Sequence, residues 1–143
     1  MKKAALAAGF SLAGIAPASA SPGSAEVFDR WIAEGKHAGM KYLPGGAAKR
    51  KNPGLLLAGA KSVVCVALDY YSRAKEGWNG SAERDGRGTV AIYAHGRDYH
   101  DVMSEKLADL RAGLEGLFPG MAARAAVDTE PISERDLAAQ SGS

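Results

Sequence analysis

Along residues 2–17 the apolar pattern changes period. Residues 2–8 carry alanine and leucine on a helical repeat, with Gly9 placed as a C-terminal stop. Residues 10–15 alternate apolar and small side chains, as a strand does, and Pro17 closes that run. Ser21-Pro22-Gly23-Ser24 reads as a turn in which Ser24 caps a helix over 25–34. Val27, Phe28, Trp31 and Ile32 share helical spacing there, and Gly35 ends it. Residues 36–51 are basic and glycine-rich and predict a loop around a short turn at 40–43. Pro53 opens a short helix over 54–59, stopped by Gly59. Residues 61–70 hold the clearest strand pattern, a β-branched and apolar run that predicts burial on both faces.

Periodicity is weak over 71–88, which predicts a long exposed loop with Trp78 as its single large apolar residue. A second strand is predicted over 89–94. The strongest helix signal covers 99–118, with Tyr99, Val102, Met103, Leu107, Leu110, Leu114 and Leu117 on one face and Pro119-Gly120 beyond its end. Residues 122–127 read as a third, central strand. Residues 129–139 read as a helix with Thr129 at its N-cap and Pro131 in its first turn. Helices alternating with strands predict an α/β or α+β layered sandwich, formed as one domain over 1–143.

Composition narrows the reading only a little. The 143 residues are enough for one buried core. Glycine, at 18 residues, is about twice its average share of roughly 7%. The net charge of +2 names no partner, but its distribution is uneven. Residues 30–61 hold seven Lys or Arg and one acid, Glu34, while 127–136 hold four acids and one Arg. The basic stretch suits phosphate, or it is a solvated loop. Cys65 is the only cysteine, which excludes an internal disulfide and a cysteine-built metal cluster. Its place within an apolar run makes it a small buried hydrophobe.

The N-terminus carries two readings. Met1-Lys2-Lys3, the apolar run to Ile15 and Ala18-Ser19-Ala20 imitate a secretory leader with its cleavage site. The helix-then-strand pattern makes the same residues structural. The run is too short to span a bilayer.

Among chemistry-bearing residues, Asp128 leads. It follows one predicted strand and precedes a predicted helix, and layered α/β folds place ligands at such strand ends. Burial there beside an apolar ligand raises a carboxyl pKa towards proton donation near neutrality. Capping the helix is the alternative use. Glu130 and Glu134, four apart on the predicted helix, repel, and one is expected to point away or to pair with Arg135. Gly96 permits a close backbone turn. Arg97 and Asp98 pair with each other or bind a polar ligand, while Tyr99 packs inward. His37, His95 and His100 lack metal-ligand spacing, so no metal site is expected. Lys49, Arg50 and Lys51 form either a phosphate contact or a solvated basic turn. The glycine-rich stretches match no phosphate or dinucleotide loop.

Taken in order, five segments resemble one family. They are residues 8–17 (Ala-Gly-Phe-Ser-Leu-Ala-Gly-Ile-Ala-Pro), 35–43 (Gly-Lys-His-Ala-Gly-Met-Lys-Tyr-Leu), the run from Lys49-Arg50-Lys51-Asn52-Pro53 to Val63, Tyr93 to His100, and Val127 to Ala139. In this order and spacing the chain resembles the N-terminal, cobalamin-binding domain of epoxyqueuosine reductase. The resemblance implies an α/β domain related to the cobalamin folds of reductive dehalogenases, truncated here. It implies cytoplasmic reduction of the epoxide of epoxyqueuosine to the alkene of queuosine, with the tRNA anticodon loop as substrate, and it favours the structural reading of residues 2–17. Asp128 matches the family's catalytic acid. Arg50, Tyr93, Ala94 and Asp128 match positions that line the corrinoid.

The same resemblance places two [4Fe–4S] clusters in a C-terminal portion that Cys65 alone cannot supply. The expectation is therefore a fragment, monomeric and inactive alone, whose electrons come from a missing domain or a partner; a degenerate homologue is the other reading. A corrinoid-binding or carrier module without reductase activity is one alternative. A secreted α/β protein is another. The sequence also departs from the family pattern. Glu130 stands where a small residue is usual, Ser133 where an apolar one is, Ile92 where a basic or polar one is common, and Ala58 where proline is common. Glu130 puts a second carboxylate beside Asp128, and if both were buried one would resist ionisation.

Overall fold

The structure, a computed structural model, describes residues 1–70, 91–94 and 96–142. The loop expected over 71–88 with Trp78, the start of the strand expected over 89–94, and His95 lie outside the described residues.

Helix α1 (Lys2–Ala7) ends where Gly9 adopts φ +85°. Its last turn closes through Gly9 N–H to Leu6 O at 3.0 Å and Phe10 N–H to Ala5 O at 3.2 Å. This paired closure satisfies the free carbonyls of a helix end. It also occupies the backbone of residues 9 and 10, so strand β1 (Leu12–Pro17) starts two residues later than expected. Phe10 becomes a core anchor instead, 3% exposed.

β1 pairs antiparallel with β2 (Ser62–Ala67), in a register that sets Leu12 opposite Ala67, Gly14 opposite Cys65 and Pro17 opposite Ser62. Side chains alternate across this sheet. Ala13 and Val66 face the cluster of Ala5, Phe10, Leu110 and Leu114, supplied by α1 and α5. Gly14 and Ala16 face the other way, where helix α6 packs on both strands. Ser141 lies against Gly14, whose missing Cβ would stand 2.2 Å from the Ser141 Oγ. Helices thus cover both faces of a small sheet, the layered α/β arrangement predicted. Val63 to Val66 are half-buried, so β2 lacks the full burial expected on both faces.

Helix α2 (Pro22–Ala33) starts earlier than predicted. Its cap is Ser21, whose Oγ accepts from Ser24 N–H, because Pro22 suits the first helical position, where no N–H is needed. Gly35, at φ +68°, stops it. The basic loop folds into two short helices, α3 (Tyr42–Gly45) and α4 (Ala47–Lys51). The helix expected over 54–59 is a single 3-10 turn, Pro53–Leu55, with the Asn52 side chain accepting from Gly54 N–H at 3.0 Å. A second 3-10 turn, Ile92–Ala94, replaces the end of the strand predicted over 89–94.

Helix α5 (Tyr99–Leu117) matches its periodicity, and Asp98 caps it by accepting from His100 N–H at 2.9 Å. Residues 122–127 form no strand: their backbone has no ladder partner among the described residues. Helix α6 (Glu134–Ser141) begins five residues after the Thr129 start predicted. Asp128 sits at φ +51°, and Pro131 disfavours the helical region at Glu130. Residues 128–133 therefore form a loop. Leu137 of α6 is 1% exposed, and Asp136 accepts from Ser21 N–H at 2.9 Å and Ser21 Oγ–H at 2.7 Å, which ties α6 to the start of α2.

Candidate active site

The site lies along the loop between residue 127 and α6. Asp128 is exposed at the first turn of that loop. Thr129 N–H closes a three-residue turn around it, bonding to Val127 O at 2.5 Å. The Tyr99 hydroxyl, at the start of α5, donates to the Asp128 carboxylate. Glu134, the first residue of α6, accepts from Asp128 N–H through Oε1 at 3.1 Å.

These contacts set the local electrostatics. The Tyr99 hydroxyl, and then Glu134, hold the Asp128 carboxyl below its ordinary value. The same bond to Asp128 pushes the Tyr99 phenol up to about 12. Burial, with Asp128 beside it, pushes the half-buried Glu134 carboxyl up. Proximity to an apolar ligand was expected to raise the Asp128 pKa. In this structure the hydrogen bonds of Tyr99 and Glu134 lower it instead.

A cleft of about 360 Å³ runs past Asp128, lined also by Arg50, Glu130, Ile132, Glu134 and Arg135. Arg50 Nη1 donates to Ile132 O at 3.1 Å, and its buried Nε has no partner among the described residues. Lys51 turns away to Asp29 at 2.8 Å, so the three neighbouring cations do not act together. Tyr93 reaches the site through its ring, edge-on to Tyr99 at 5.9 Å and to Tyr70 at 6.3 Å. Ala94 lies next to it on the exposed turn. Arg50 and Asp128 therefore share a cleft, with Tyr93 and Ala94 on its Tyr99 side.

Several sequence expectations change. Glu130 and Glu134 do not share a helix, and Glu130 pairs with Arg124 at 2.5 Å rather than with Arg135. Glu134 is the carboxylate bonded to the Asp128 backbone. Arg97 pairs with Glu105 at 2.5 Å, and Asp98 bonds His100 Nδ1 at 2.9 Å, so Arg97 and Asp98 do not join. Tyr99 stacks on His100 at 4.1 Å and turns its hydroxyl to Asp128 instead of packing wholly inward. Cys65 is half-buried, and burial pushes its thiol up. No group of His, Cys, Asp and Glu suited to a metal ion occurs among the described residues. Tyr99 and Glu134 are the site residues that pattern reasoning missed. Each starts a helix, and nothing local in sequence joins residue 99 to residue 128.

Residues 50–129 match the family described as Epoxyqueuosine reductase QueG, DUF1730, a span that runs from Arg50 past Asp128. The chain belongs to this family. It is 36% identical over 143 residues to the epoxyqueuosine reductase of Gloeobacter violaceus, covering 99% of this chain and 42% of that protein. A crystal structure of epoxyqueuosine reductase with a tRNA-Tyr epoxyqueuosine-modified tRNA stem loop is similar at TM-score 0.70 and 33% identity, covering 95% of this chain and 35% of that one. The epoxyqueuosine reductase of Bacillus subtilis, with its catalytic aspartate loop swung out of the active site, is similar at TM-score 0.71 and 30% identity, covering 98% and 36%. The chain spans 42% to 43% of the length of the first curated relatives it matches. The leader-like residues are built into this family's fold: α1 and Phe10 sit in the core and β1 in the sheet. No helix among the described residues is long and apolar enough to cross a membrane.

Proposed function

We propose that this chain is the cobalamin-binding N-terminal portion of an epoxyqueuosine reductase, acting in the cytoplasm on epoxyqueuosine in a tRNA anticodon loop. The observation that carries this reading is convergence. Arg50, Tyr93 and Asp128 are distant in sequence, yet Arg50 and Asp128 line one cleft and Tyr93 reaches Asp128 through Tyr99.

The residues present fit a corrinoid. Tyr70 and Tyr93 are exposed aromatic rings, 65% and 52% accessible, of the kind a flat macrocycle covers. The buried Arg50 Nε lacks an acceptor among the described residues, and the polar side groups of a corrinoid are rich in acceptors. Arg50, Tyr93, Ala94 and Asp128 would hold the group. When bound, it supplies electrons to the epoxide carbon. With one cysteine, the chain does not ligate a [4Fe–4S] cluster by itself, so those electrons come from another portion or a partner.

The chain's own part is proton handling. Epoxide, two electrons and two protons give alkene and water. Asp128 gives a proton to the epoxide oxygen as the C–O bond breaks. Tyr99 keeps the Asp128 carboxyl ionised in the open site. Covering the cleft with substrate withdraws water and raises that carboxyl towards a proton-donating form. The catalytic aspartate loop of the Bacillus subtilis enzyme supports reading residues 128–133 as the corresponding loop.

Anaerobic titration of the chain with cobalamin tests the reading. Retention with an altered corrinoid spectrum is expected; an unchanged spectrum and no retained corrinoid overturn it. In the presence of an iron–sulfur electron donor, Asp128→Asn should abolish epoxide reduction and keep cobalamin bound. Turnover by that variant removes Asp128 as the acid.

A further inference from the structure

Asp128 occupies a left-handed backbone region that non-glycine residues seldom adopt, though aspartate tolerates it better than most. It is one of two non-glycine residues with positive φ among the described residues, at +51°. Such a backbone costs on the order of 1–2 kcal/mol and persists only where its surroundings enforce it. Locally, the Thr129 N–H bond to Val127 O closes the turn at Asp128. Two longer bonds act on Asp128. Tyr99 holds its carboxylate, and Glu134 holds its amide.

Glu134 differs from Asp128 in being rooted. It begins α6, which Leu137 and Ser141 fix against the sheet and Asp136 fixes to Ser21. The groups facing it are Asp128 from the loop, Arg50 from α4 and Cys65 from β2. Arg50 favours its charged form, and so does the N-terminal end of α6. The Glu134 and Asp128 carboxyls also hydrogen-bond each other, which requires a proton on one of them.

We propose that Glu134 is the positioning residue for Asp128: from the start of α6 its carboxylate grips the Asp128 amide and aims the Asp128 carboxyl at Tyr99 and the cleft. Its functional consequence rests on the reading of Asp128 as the proton donor; the positioning itself does not. Burial brings protonation of Glu134 above the ordinary glutamate range, and the protonated carboxyl donates to the Asp128 carboxylate, so Glu134 holds Asp128 in either form.

The test uses NMR on the full chain and its Glu134→Gln and Glu134→Leu variants. Glu134→Leu should exchange the Asp128 amide about tenfold faster, the loss of roughly one hydrogen bond. It should also move the Asp128 carboxyl titration upwards, part of the way to the ordinary aspartate range. Glu134→Gln keeps an acceptor, so its Asp128 amide stays protected. A role confined to starting α6 would move the Leu137 and Ala138 amides and leave the Asp128 carboxyl titration alone. An unchanged titration in Glu134→Leu overturns the proposal, as does fast exchange of the Asp128 amide in Glu134→Gln. The second outcome holds even if Glu134→Leu does not fold. Failure of the wild type to retain cobalamin would sink the functional reading and leave this result standing. Cobalamin retention with an unchanged Asp128 titration would do the reverse.

Discussion

The Tyr99 hydroxyl donates to the Asp128 carboxylate across the gap between α5 and the 128–133 loop. The bond acts in both directions, pushing the phenol up to about 12 and holding the carboxyl down. A carboxyl lowered in the fold adds stability above its unfolded pKa and loses it as pH falls through the lowered one. Glu134 has the opposite sign. Its pKa is raised by burial, so its contribution improves as pH falls through that value. Tyr99→Phe removes the donor. The variant's Asp128 carboxyl should titrate closer to 3.8, and less of its stability should disappear in strong acid. Carbon-13 titration of the carboxyl and urea melts across pH check both. Asp128 was legible in the sequence because a carboxylate after an apolar run is a local signal. Tyr99 was not, because its use depends on a residue that only folding brings near.

Helix α6 joins the site to the core at the scale of elements. It packs on both strands, and its contact with β1 is close because Gly14 carries no side chain. A Cβ at Gly14 would stand 2.6 Å from the Ser141 Cβ and 2.9 Å from the Ser141 carbonyl oxygen. Helix backbone cannot yield to that cheaply. Gly14→Ala is expected to cost about 1–3 kcal/mol in denaturant unfolding, the range for overpacked cores. Adding Ser141→Gly removes the side-chain clash but leaves the carbonyl, so it should recover part of the loss. Full recovery, or no initial loss, would mean that α6 does not press on β1. The sequence showed α1, α2 and α5 well, since their stops at Gly9, Gly35 and Pro119 are local. It placed the start of α6 too early because a possible cap at Thr129 outweighed the restraint that Pro131 puts on Glu130.

Across the whole molecule, the charge asymmetry of the chain becomes a surface. The basic segment supplies Arg50 to the cleft and pairs Lys51 with Asp29 and Lys36 with Glu34, while Lys41 and Lys49 form no ion pair among the described residues. The proposed RNA substrate gives these two lysines a role as phosphate contacts. Lys41→Ala and Lys49→Ala should each reduce the slope of log affinity against log salt by about 0.7–0.9 for a tRNA stem loop. Filter binding over a salt series measures this, and unchanged slopes remove the lysines from the interface.

Sequence alone determined the helices with strong periodicity, the two strands that pair, the family resemblance and the candidate residues Arg50, Tyr93, Ala94 and Asp128. The elements follow from local spacing and residue type; Tyr93 and Ala94 became candidates only through the resemblance. The strand expected over 122–127 did not form, because a strand needs a partner edge as well as a pattern. Only the tertiary structure decided which groups meet: Tyr99 with Asp128, Glu134 with the Asp128 amide, Arg50 with Ile132, and Ser141 with the bare backbone at Gly14. Each of those contacts joins elements far apart in the chain, and their protonation follows from the burial and partners that packing assigns.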